Sequence, residues 1–395
     1  MPNPRAACDG AGREHPGGAA PPQHGDKMGK ERMQKMDANE RELLRLLESV
    51  TEPDEAAREA AARQWASCAK PLGSLGLLEE AVERIAALTG SSPVSLSPRA
   101  VLVLCADNGV VAQGVTQTDS SVTAIVTQNL AKGRTSVCRM ASVANCRVVP
   151  VDMGVLDFPE TPGVLRRRTG NGTGDISLGP AMTRGQAAQA LLTGIDLVRE
   201  QREAGVRLLA TGEMGIGNTT TSSAVASVLL ARPVPEMTGC GAGLSGEGLR
   251  RKIRAIESAI RVNQPDPSDP LDVLAKLGGF DLAGMCGMFL GGALYGVPVL
   301  ADGFISTVAA LCAVRLCPKA KKAVFASHVS AEPAGRQVLD ALGLPPLITA
   351  GMRLGEGTGA VAAIPLLDMA LAVFAEGDTF EESGIEPYVP LGDTE

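Results

Sequence analysis

Two glycine-rich segments of the chain each carry one glutamate. Residues 211–221, TGEMGIGNTTT, follow an apolar run, precede a helical pattern and contain Glu213. Residues 353–360, RLGEGTGA, place Glu356 between two glycines before another apolar helical pattern. A carboxylate between glycines has little steric cover, so Glu356 is suited to approach a substrate nitrogen as a general base. The alternative for this segment is a surface loop with a helix-capping glutamate.

The segment around Glu213 has the features of an anion site. Small residues let backbone N–H groups reach a ligand, and a helix N-terminus carries about half a positive charge. A phosphate fits this turn, although a plain connection between a strand and a helix has the same pattern. Because Glu213 would repel an anion, we expect it to lie beside a cationic or proton-bearing part of the ligand.

A third glycine-rich segment, residues 241–246, has the GxGxxG spacing of dinucleotide-binding folds. The preceding residues 232–236, RPVPE, make a poor central strand, so this match is weak. Lys252, on the helical pattern that follows, has the charge to meet a phosphate. Asp302 follows another apolar run and is placed either to bind a ligand hydroxyl or to cap the next helix.

The composition of the 395-residue chain excludes several classes of protein. A formal net charge of −7 and 3% aromatic residues argue against nucleic-acid binding. Nine cysteines without a CxxC pair do not indicate a disulfide framework or a zinc knuckle, and indicate a reducing compartment, the cytoplasm. Of three histidines only His328 lies outside the N-terminal tail, which excludes a multi-His metal centre. We expect His328 to be a packing residue.

Short apolar runs alternate with amphipathic stretches along most of the chain. This alternation predicts a parallel β-sheet with covering helices, which binds ligands in the loops after the carboxyl ends of its strands. Residues 40–88 are predicted to be helical, with a break at 70–74 and Ser74 as the N-cap of the second piece. The predicted strands are residues 101–105, 147–152, 207–210, 298–302 and 323–326, and the predicted helices are about 120–142, 184–203, 219–231, 246–261 and 304–316.

Two segments bear on the location of the protein. Residues 1–38 are rich in Gly, Pro, Ala and charge, which predicts a disordered tail, and they have no secretory-signal pattern. Residues 282–301 carry no charge and have the length of a membrane span. Their glycines and Pro298 predict instead a buried helix, a break at 296–298 and a short strand, so we expect no membrane span.

Seven segments, taken together and in order, resemble the nicotinate-nucleotide:5,6-dimethylbenzimidazole phosphoribosyltransferase family of cobalamin lower-ligand activation. The match runs from about residue 40 to about residue 388. The segments are residues 70–76, 106–110, 212–220, 278–281, 302–306, 327–332 and 353–360.

The resemblance implies an α/β fold, a Rossmann-like parallel sheet with helices on both faces plus a small helical domain built from both chain termini. It places residues 39–90 and 346–395 in or beside the small domain and residues 91–345 in the large catalytic domain. It also implies a homodimer that needs neither a metal nor another cofactor.

The implied reaction transfers ribose 5-phosphate from nicotinate mononucleotide to an aromatic base, and gives an α-ribazole 5′-phosphate-type nucleotide and nicotinate. By resemblance, Glu356 is the catalytic base and Glu213 a second active-site carboxylate that stabilises the sugar cation or assists proton transfer. The phosphate and nucleotide are assigned to Gly215, Gly217, Asn218, Thr219, Gly241, Lys252 and Ser330, and the base pocket to Thr118, Val126, Arg353 and Leu354.

This chain departs from the family pattern near the expected base pocket. Asn108 stands where the family often has His, and Thr118 and Val126 fall where family members can have Ser and Gln. The acceptor is therefore open among 5,6-dimethylbenzimidazole, other benzimidazoles, a purine and a phenol. Two other functions are an NAD-dependent oxidoreductase that uses residues 241–246 and a non-catalytic nucleotide-binding regulator. Glu213 and Glu356 disfavour the regulator, because binding alone needs no base.

Overall fold

Six parallel strands form the central sheet of the computed structural model, which describes residues 36–388 except Ala242. Their spatial order, β3-β2-β1-β4-β5-β6, is that of the Rossmann fold, and it reverses between β1 and β4. A ligand site is expected beside that reversal, at the carboxyl ends of the strands. The strands are β1 Arg99–Ala106, β2 Arg147–Gly154, β3 Leu165–Arg166, β4 Leu208–Met214, β5 Val299–Ala301 and β6 Val324–Ala326.

The five strands predicted from the sequence are confirmed. In β1 every residue after Arg99 is buried, because helices cover both faces of the sheet. Such strands are near-continuous apolar runs, which is why they can be recognised in the sequence. The sequence reasoning missed β3, whose two residues pair with the end of β2 and are too few to form a pattern.

Fifteen α-helices occur in the described part of the chain. They are α1 Ala38–Glu48, α2 Glu55–Ser67, α3 Leu77–Thr89, α4 Ser121–Ala131, α5 Ser136–Val143, α6 Arg184–Glu203, α7 Asn218–Leu229, α8 Val234–Met237, α9 Gly246–Asn263, α10 Pro270–Leu277, α11 Phe280–Tyr295, α12 Phe304–Leu316, α13 Gly335–Leu342, α14 Thr358–Glu376 and α15 Phe380–Ser383. Single-turn 3₁₀ segments occur at Gly109–Gln113 and Pro318–Ala323.

Three details of the helix predictions were wrong. The pattern at 120–142 is two helices, α4 and α5, because the chain turns through Gly133 in the left-handed region. Residues 40–88 form three helices rather than two. Ser74 does not cap α3, whose N-cap is Gly76, because the chain turns once more at Gly73–Gly76 before the helix begins.

The uncharged segment at 282–301 lies in the core, as predicted. It forms most of α11, ends at Gly296 and continues into β5, and nearly all of α11 is buried. Glycines on α11 let it pack closely on α6, since a Cβ at Gly291 would lie 3.0 Å from the Cα of Ile195.

A different helix, α14, is long and apolar enough to cross a membrane by length and composition alone. Half of its apolar stretch is buried inside the protein. Core helices of soluble proteins pass the same test, so this one helix is weak evidence for a membrane.

Both ends of the chain contribute to one small hydrophobic cluster. Trp65 of α2 packs on Phe374 of α14 with ring centroids 4.9 Å apart, and Val82 and Ala86 of α3 complete the contact. The remaining core forms one large cluster around the sheet. The domain boundaries at residues 90 and 345 stay a prediction.

The predicted disordered tail lies almost entirely outside the described residues. Its last two residues belong instead to the start of the fold: Asp37 caps α1 by accepting a hydrogen bond from the Asn39 amide, and Ala38 is the first residue of that helix.

Candidate active site

A cavity of about 290 Å³ opens at the carboxyl ends of β4 and β5. Its size is close to the lower end of the range for small-molecule sites, roughly 300 Å³. Twelve of the thirteen site residues expected from the sequence line it; Val126 does not. The twelve are Thr118, Glu213, Gly215, Gly217, Asn218, Thr219, Gly241, Lys252, Ser330, Arg353, Leu354 and Glu356.

Glu213 stands near the end of β4 and is only 8% exposed. The Asn218 side-chain amide, from the first turn of α7, donates a hydrogen bond to its Oε2 atom. Burial, together with the nearby carboxyl groups of Asp281, Asp302 and Glu356, raises the pKa of Glu213 to about 8, against the opposing Asn218 hydrogen bond. Without a bound substrate, Glu213 therefore holds a proton at neutral pH.

Glu356 lies in a strained turn. Its φ is 61°, and the flanking Gly355 and Gly357 have φ values of 89° and 93°, so three successive residues adopt the left-handed region. Strain of this kind is concentrated at functional sites. The Glu356 carboxylate accepts a hydrogen bond of 3.1 Å from the Val137 amide in the first turn of α5, which fixes its orientation.

The two glutamates lie side by side because the glycines of their segments pack together. A Cβ at Gly355 would come 2.5 Å from Glu213 Oε1, and a Cβ at Gly212 would come 2.5 Å from the Glu356 carbonyl oxygen. Any other residue at either position would push the Glu213 and Glu356 segments apart.

Asp302 connects β5 to the Glu356 segment. Its carboxylate accepts hydrogen bonds from the amides of Gly357, Gly359 and Ala360, at 3.2, 2.7 and 3.0 Å. Asp302 therefore caps α14 and not the next helix, α12, whose N-cap Gly303 has no side-chain hydrogen bond. Of the two roles left open for Asp302, a cap on the next helix is not observed. Asp302 also lines the cavity, and binding of a ligand hydroxyl stays a prediction.

His328, expected to be a packing residue, is buried and also lines the cavity. Its Nδ1 atom lies 4.0 Å from Asp302 Oδ1 and 3.2 Å from the Ser327 hydroxyl. Burial lowers the pKa of His328, against the opposing attraction of the Asp302 carboxylate.

Lys252 supplies a cation to the cavity wall from the buried face of α9. It is 1% exposed, and its ammonium group donates hydrogen bonds to the Thr219 hydroxyl at 2.9 Å and the Gly239 carbonyl at 3.1 Å. Burial lowers its pKa to about 8. The N-terminus of α7, with Gly217 as its N-cap, lies in the same wall, so backbone N–H groups and the ammonium group together suit an anion.

The rest of the cavity wall is mainly apolar. Met214, Phe304 and Leu244 contribute side chains, and Leu354 is 56% exposed at the mouth. Thr118 lines the cavity, and its carbonyl accepts a 2.5 Å hydrogen bond from the Thr116 hydroxyl. A flat aromatic molecule is chemically compatible with this surface.

The structure does not bring Val126 to the cavity. Val126 is half-buried against the hydrophobic core, on helix α4. The side chain that α4 presents to the Glu213 loop is Thr123, whose hydroxyl accepts a 3.2 Å hydrogen bond from the Ile216 amide.

Residues 241–246 do not form the dinucleotide loop of a Rossmann fold. The segment follows the short helix α8, rather than a strand, and precedes α9. Gly241 and Leu244 nonetheless line the same cavity as Glu213. Among the described residues, no group of three or more His, Cys, Asp and Glu side chains is arranged to hold a metal ion.

The sequence reasoning named Asp281 within a motif but gave it no role. Asp281 is fully buried behind the cavity and accepts a 3.1 Å hydrogen bond from the same Asn218 amide that bonds Glu213. Asn108 lies beside it, with its side-chain oxygen buried and unpaired. The only signal in the sequence was an acidic residue close to a pair of glycines. The contacts of Asp281 are visible only in the folded structure.

Comparison with known proteins shows the family of the chain. Residues 50–385 match the family model described as a phosphoribosyltransferase. The chain is 47% identical over 345 residues to the nicotinate-nucleotide–dimethylbenzimidazole phosphoribosyltransferase of Ruminiclostridium cellulolyticum, covering 87% of this chain and 98% of that protein. It is 46% identical over 348 residues to the enzyme of the same name from Acetivibrio thermocellus, covering 88% and 99%.

A solved structure confirms the fold class. The crystal structure of CobT from Thermus thermophilus superposes with a TM-score of 0.79 at 40% identity, over 84% of this chain and 100% of that one. These matches overturn the oxidoreductase and regulator alternatives, because they identify the chain as a phosphoribosyltransferase enzyme. The chain belongs to the nicotinate-nucleotide–dimethylbenzimidazole phosphoribosyltransferase family.

Proposed function

We propose that the cavity transfers the ribose 5-phosphate of nicotinate mononucleotide to a benzimidazole-type base, and so makes the α-ribazole 5′-phosphate nucleotide of the cobalamin lower loop. The observation that carries this proposal is that two glutamates on tightly packed segments, Glu213 and Glu356, line one cavity with the buried ammonium group of Lys252. The relatives described above bear names that specify this nucleotide and this base.

The phosphate of the nucleotide is assigned to the wall that contains Lys252. The ammonium group already bonds Thr219 and Gly239, which fixes its position before a ligand arrives. A phosphate there receives a charge-assisted hydrogen bond from Lys252 and backbone N–H groups at the start of α7. Gly215, Gly217, Asn218, Gly241 and Ser330 complete the expected nucleotide site.

The leaving group requires no acid. The pyridine nitrogen of nicotinate mononucleotide is positively charged, and it takes both electrons of the C1′–N bond as that bond breaks, which leaves a neutral aromatic nitrogen. The positive charge then lies on the ribosyl carbon. Glu213 is adjacent to Glu356 in the wall, and we assign it the role of stabilising this charge as a carboxylate. A cationic substrate beside Glu213 favours ionisation of its carboxyl group.

The acceptor base attacks C1′ through its unprotonated ring nitrogen and acquires a positive charge. It loses that charge when the proton on its other nitrogen passes to a carboxylate. We assign this step to Glu356, whose carboxylate is held in position by the Val137 amide. Holding the two substrates in one orientation supplies much of the remaining acceleration.

The acceptor pocket is assigned to the apolar wall with Thr118, Arg353 and Leu354. Met214 and Phe304 offer a surface for a fused aromatic ring, and the Thr118 region offers a polar rim. The reaction just described favours a benzimidazole over a phenol, because it uses both ring nitrogens of a benzimidazole.

We also propose that the enzyme works as a homodimer in the cytoplasm. The resemblance to this family implies the homodimer. The eight described cysteines are all free thiols, as in a reducing compartment. Light scattering after size-exclusion chromatography measures the assembly, and a mass near 40.6 kDa would contradict the dimer.

Incubation with nicotinate mononucleotide and a panel of bases tests the function. We expect nicotinate release that depends on a base, with 5,6-dimethylbenzimidazole and related benzimidazoles as the best acceptors, ahead of purines and phenols. Mass spectrometry of the product identifies the ribotide. Absence of nicotinate with every base would contradict the proposal.

A further inference from the structure

A second buried carboxyl group lies directly behind Glu213. Asp281 stands in the first turn of α11, is 0% exposed and is not part of the cavity wall. It belongs to the GGFD segment at 278–281, for which the proposed reaction gives no role. A buried aspartate that forms no ion pair with a basic side chain of the described residues is costly in a protein core, so its retention needs a reason.

One amide group joins this aspartate to the active site. The Nδ2 atom of Asn218 donates to Asp281 Oδ2 at 3.1 Å and also to Glu213 Oε2. The other oxygen of Asp281 accepts a 2.9 Å hydrogen bond from the Leu282 amide, which fixes the carboxylate at the N-terminal end of α11. The two carboxyl groups therefore share a single rigid donor.

Two glycines make room for the Asp281 carboxylate. A Cβ at Gly215 would lie 2.7 Å from Asp281 Oδ2, and a Cβ at Gly279 would meet Asp281 Oδ1 and the unpaired Asn108 oxygen. The backbone is thus shaped around this side chain on two sides. One of these glycines, Gly215, also lines the substrate cavity.

We propose that Asp281 is a positioning residue of this enzyme, which acts through the Asn218 amide to hold the Glu213 carboxyl group in place and to keep negative charge behind it. The catalytic part of this inference rests on the proposed function. This arrangement favours the protonated form of Glu213 without substrate. A cationic nucleotide beside Glu213 favours the carboxylate form instead.

The charged side chains nearest to Glu213 and Asp281 are also carboxylates. Asp302 and Glu356 approach Glu213 from the β5 and α14 sides, and Asp107, after β1, faces Asp281. Burial raises the pKa of Asp281 to about 6, against the opposing hydrogen bonds from Asn218 and from backbone amides. The Cys105 thiol lies near both groups and is uncharged, because burial raises its pKa to about 12.

A further carboxylate, Asp152, raises the pKa of Asp107 from behind and is itself paired with Arg168 at 2.9 Å. The carboxyl groups of Asp302, Glu356 and Asp107 and the neutral amide of Asn218 act directly on Glu213 or Asp281. Arg168 and His328 act one layer further out, since Arg168 pairs with Asp152 and His328 lies 4.0 Å from Asp302. Loss of the Asp281 charge therefore has a definite direction: the proton on Glu213 must become easier to remove.

The test compares Asp281→Asn with the wild type and with Asp272→Asn. The asparagine keeps the size of the side chain and an oxygen for the Leu282 amide, and it removes the charge. Its own NH2 group takes the place of the oxygen that accepts from Asn218, so the bridge through that amide is lost as well. Asp272 is the matched control, since it is a first-turn aspartate of α10 paired with Lys276 at 2.9 Å, outside the cavity. Carbon-13 labelling of glutamate carboxyl groups follows their titration by NMR, and Glu213→Gln identifies the Glu213 signal.

We expect Asp281→Asn to lower the titration midpoint of Glu213 by about one pH unit or more, as for loss of a neighbouring like charge. The pH dependence of kcat/KM for nicotinate release should move in the same direction, and Asp272→Asn should change neither. An unchanged Glu213 midpoint in folded Asp281→Asn would overturn the inference, as would a loss of activity that is equal at every pH.

Two further outcomes keep the test decisive. If Asp281→Asn does not fold, carbon-13 labelling of aspartate carboxyl groups follows Asp281 in the wild type. Titration of Asp281 should then shift the midpoint of Glu213, and two independent titrations would overturn the inference. If the wild type releases no nicotinate, the proposed reaction fails, but the NMR titration still decides whether Asp281 governs Glu213.

Discussion

The Asp302 carboxylate accepts a 2.7 Å hydrogen bond from the amide of Gly359, 57 residues further along the chain. Asp302 follows β5 and Gly359 lies in the first turn of α14, so this bond fastens the Glu356 segment to the end of the sheet. The left-handed turn at Glu356 persists because the residues after it are held in this way. The position of the proposed base therefore depends on a residue of another strand.

The first prediction concerns this cap. Asp302→Ala leaves three amides at the start of α14 without their acceptor, which should cost about 1–2 kcal/mol of unfolding free energy. It should also lower kcat at least tenfold with a smaller change in KM for the nucleotide, because Glu356 loses its fixed position. Urea denaturation and steady-state kinetics measure the two effects.

Asp269→Ala is the control for Asp302→Ala. Asp269 caps α10 by accepting the Leu271 and Asp272 amides, away from the cavity. It should lose a similar amount of stability and keep its kcat. Equal losses of kcat in the two variants would show that Asp302 acts on stability alone.

The second prediction concerns Glu356 itself. Glu356→Gln keeps the size of the side chain and removes its ability to accept a proton, so kcat should fall by roughly 10²–10⁴. KM for both substrates should change far less. Glu376→Gln, on the exposed end of α14, is the control and should be unaffected. A near-normal kcat in Glu356→Gln would remove this residue from its role.

Much of the sheet could be predicted from the sequence, because buried parallel strands are short apolar runs between amphipathic helices. The boundaries of α6 and α12 were predicted at the residues observed. A capping box at Thr183 marks the start of α6, and Gly303 and Cys317–Pro318 bound the apolar run of α12. The start of α3 was missed because Ser74 is a good N-cap type, whereas the chain begins the helix after Gly76. Local propensity does not settle which of two adjacent turns continues into a helix.

The cavity residues were predictable as motifs but not as an arrangement. Glu213 and Glu356 each stand out among glycines, and the resemblance joined them to Lys252. The Asn218 bridge to Asp281 and the Asp302 cap connect residues 55 to 63 positions apart, and no local pattern encodes such contacts. Val126 does not line the cavity, because the resemblance gives a position on α4 but not the side of the helix that meets the cavity.

The third prediction concerns the phosphate. Lys252→Met removes the ammonium group and retains most of the side-chain volume, so the fold should survive. KM for nicotinate mononucleotide should rise about 10- to 100-fold, the equivalent of a hydrogen bond to a charged group. Arg254→Ala, at an exposed position of the same helix, serves as the control. An unchanged KM in Lys252→Met would place the phosphate elsewhere.

The last prediction is a pH profile that differs between the free enzyme and the complex. In the free enzyme Glu213 and Lys252 both have a pKa of about 8, the first raised and the second lowered by burial. Below that pH Glu213 holds its proton, and above it Lys252 loses its charge, so kcat/KM should have a narrow maximum near pH 8. In the complex the cationic nucleotide lowers the pKa of Glu213 and the phosphate raises that of Lys252, so kcat should be level over a wider range. Initial rates between about pH 6 and pH 10 measure both, and a kcat/KM as broad as kcat would contradict these two assignments.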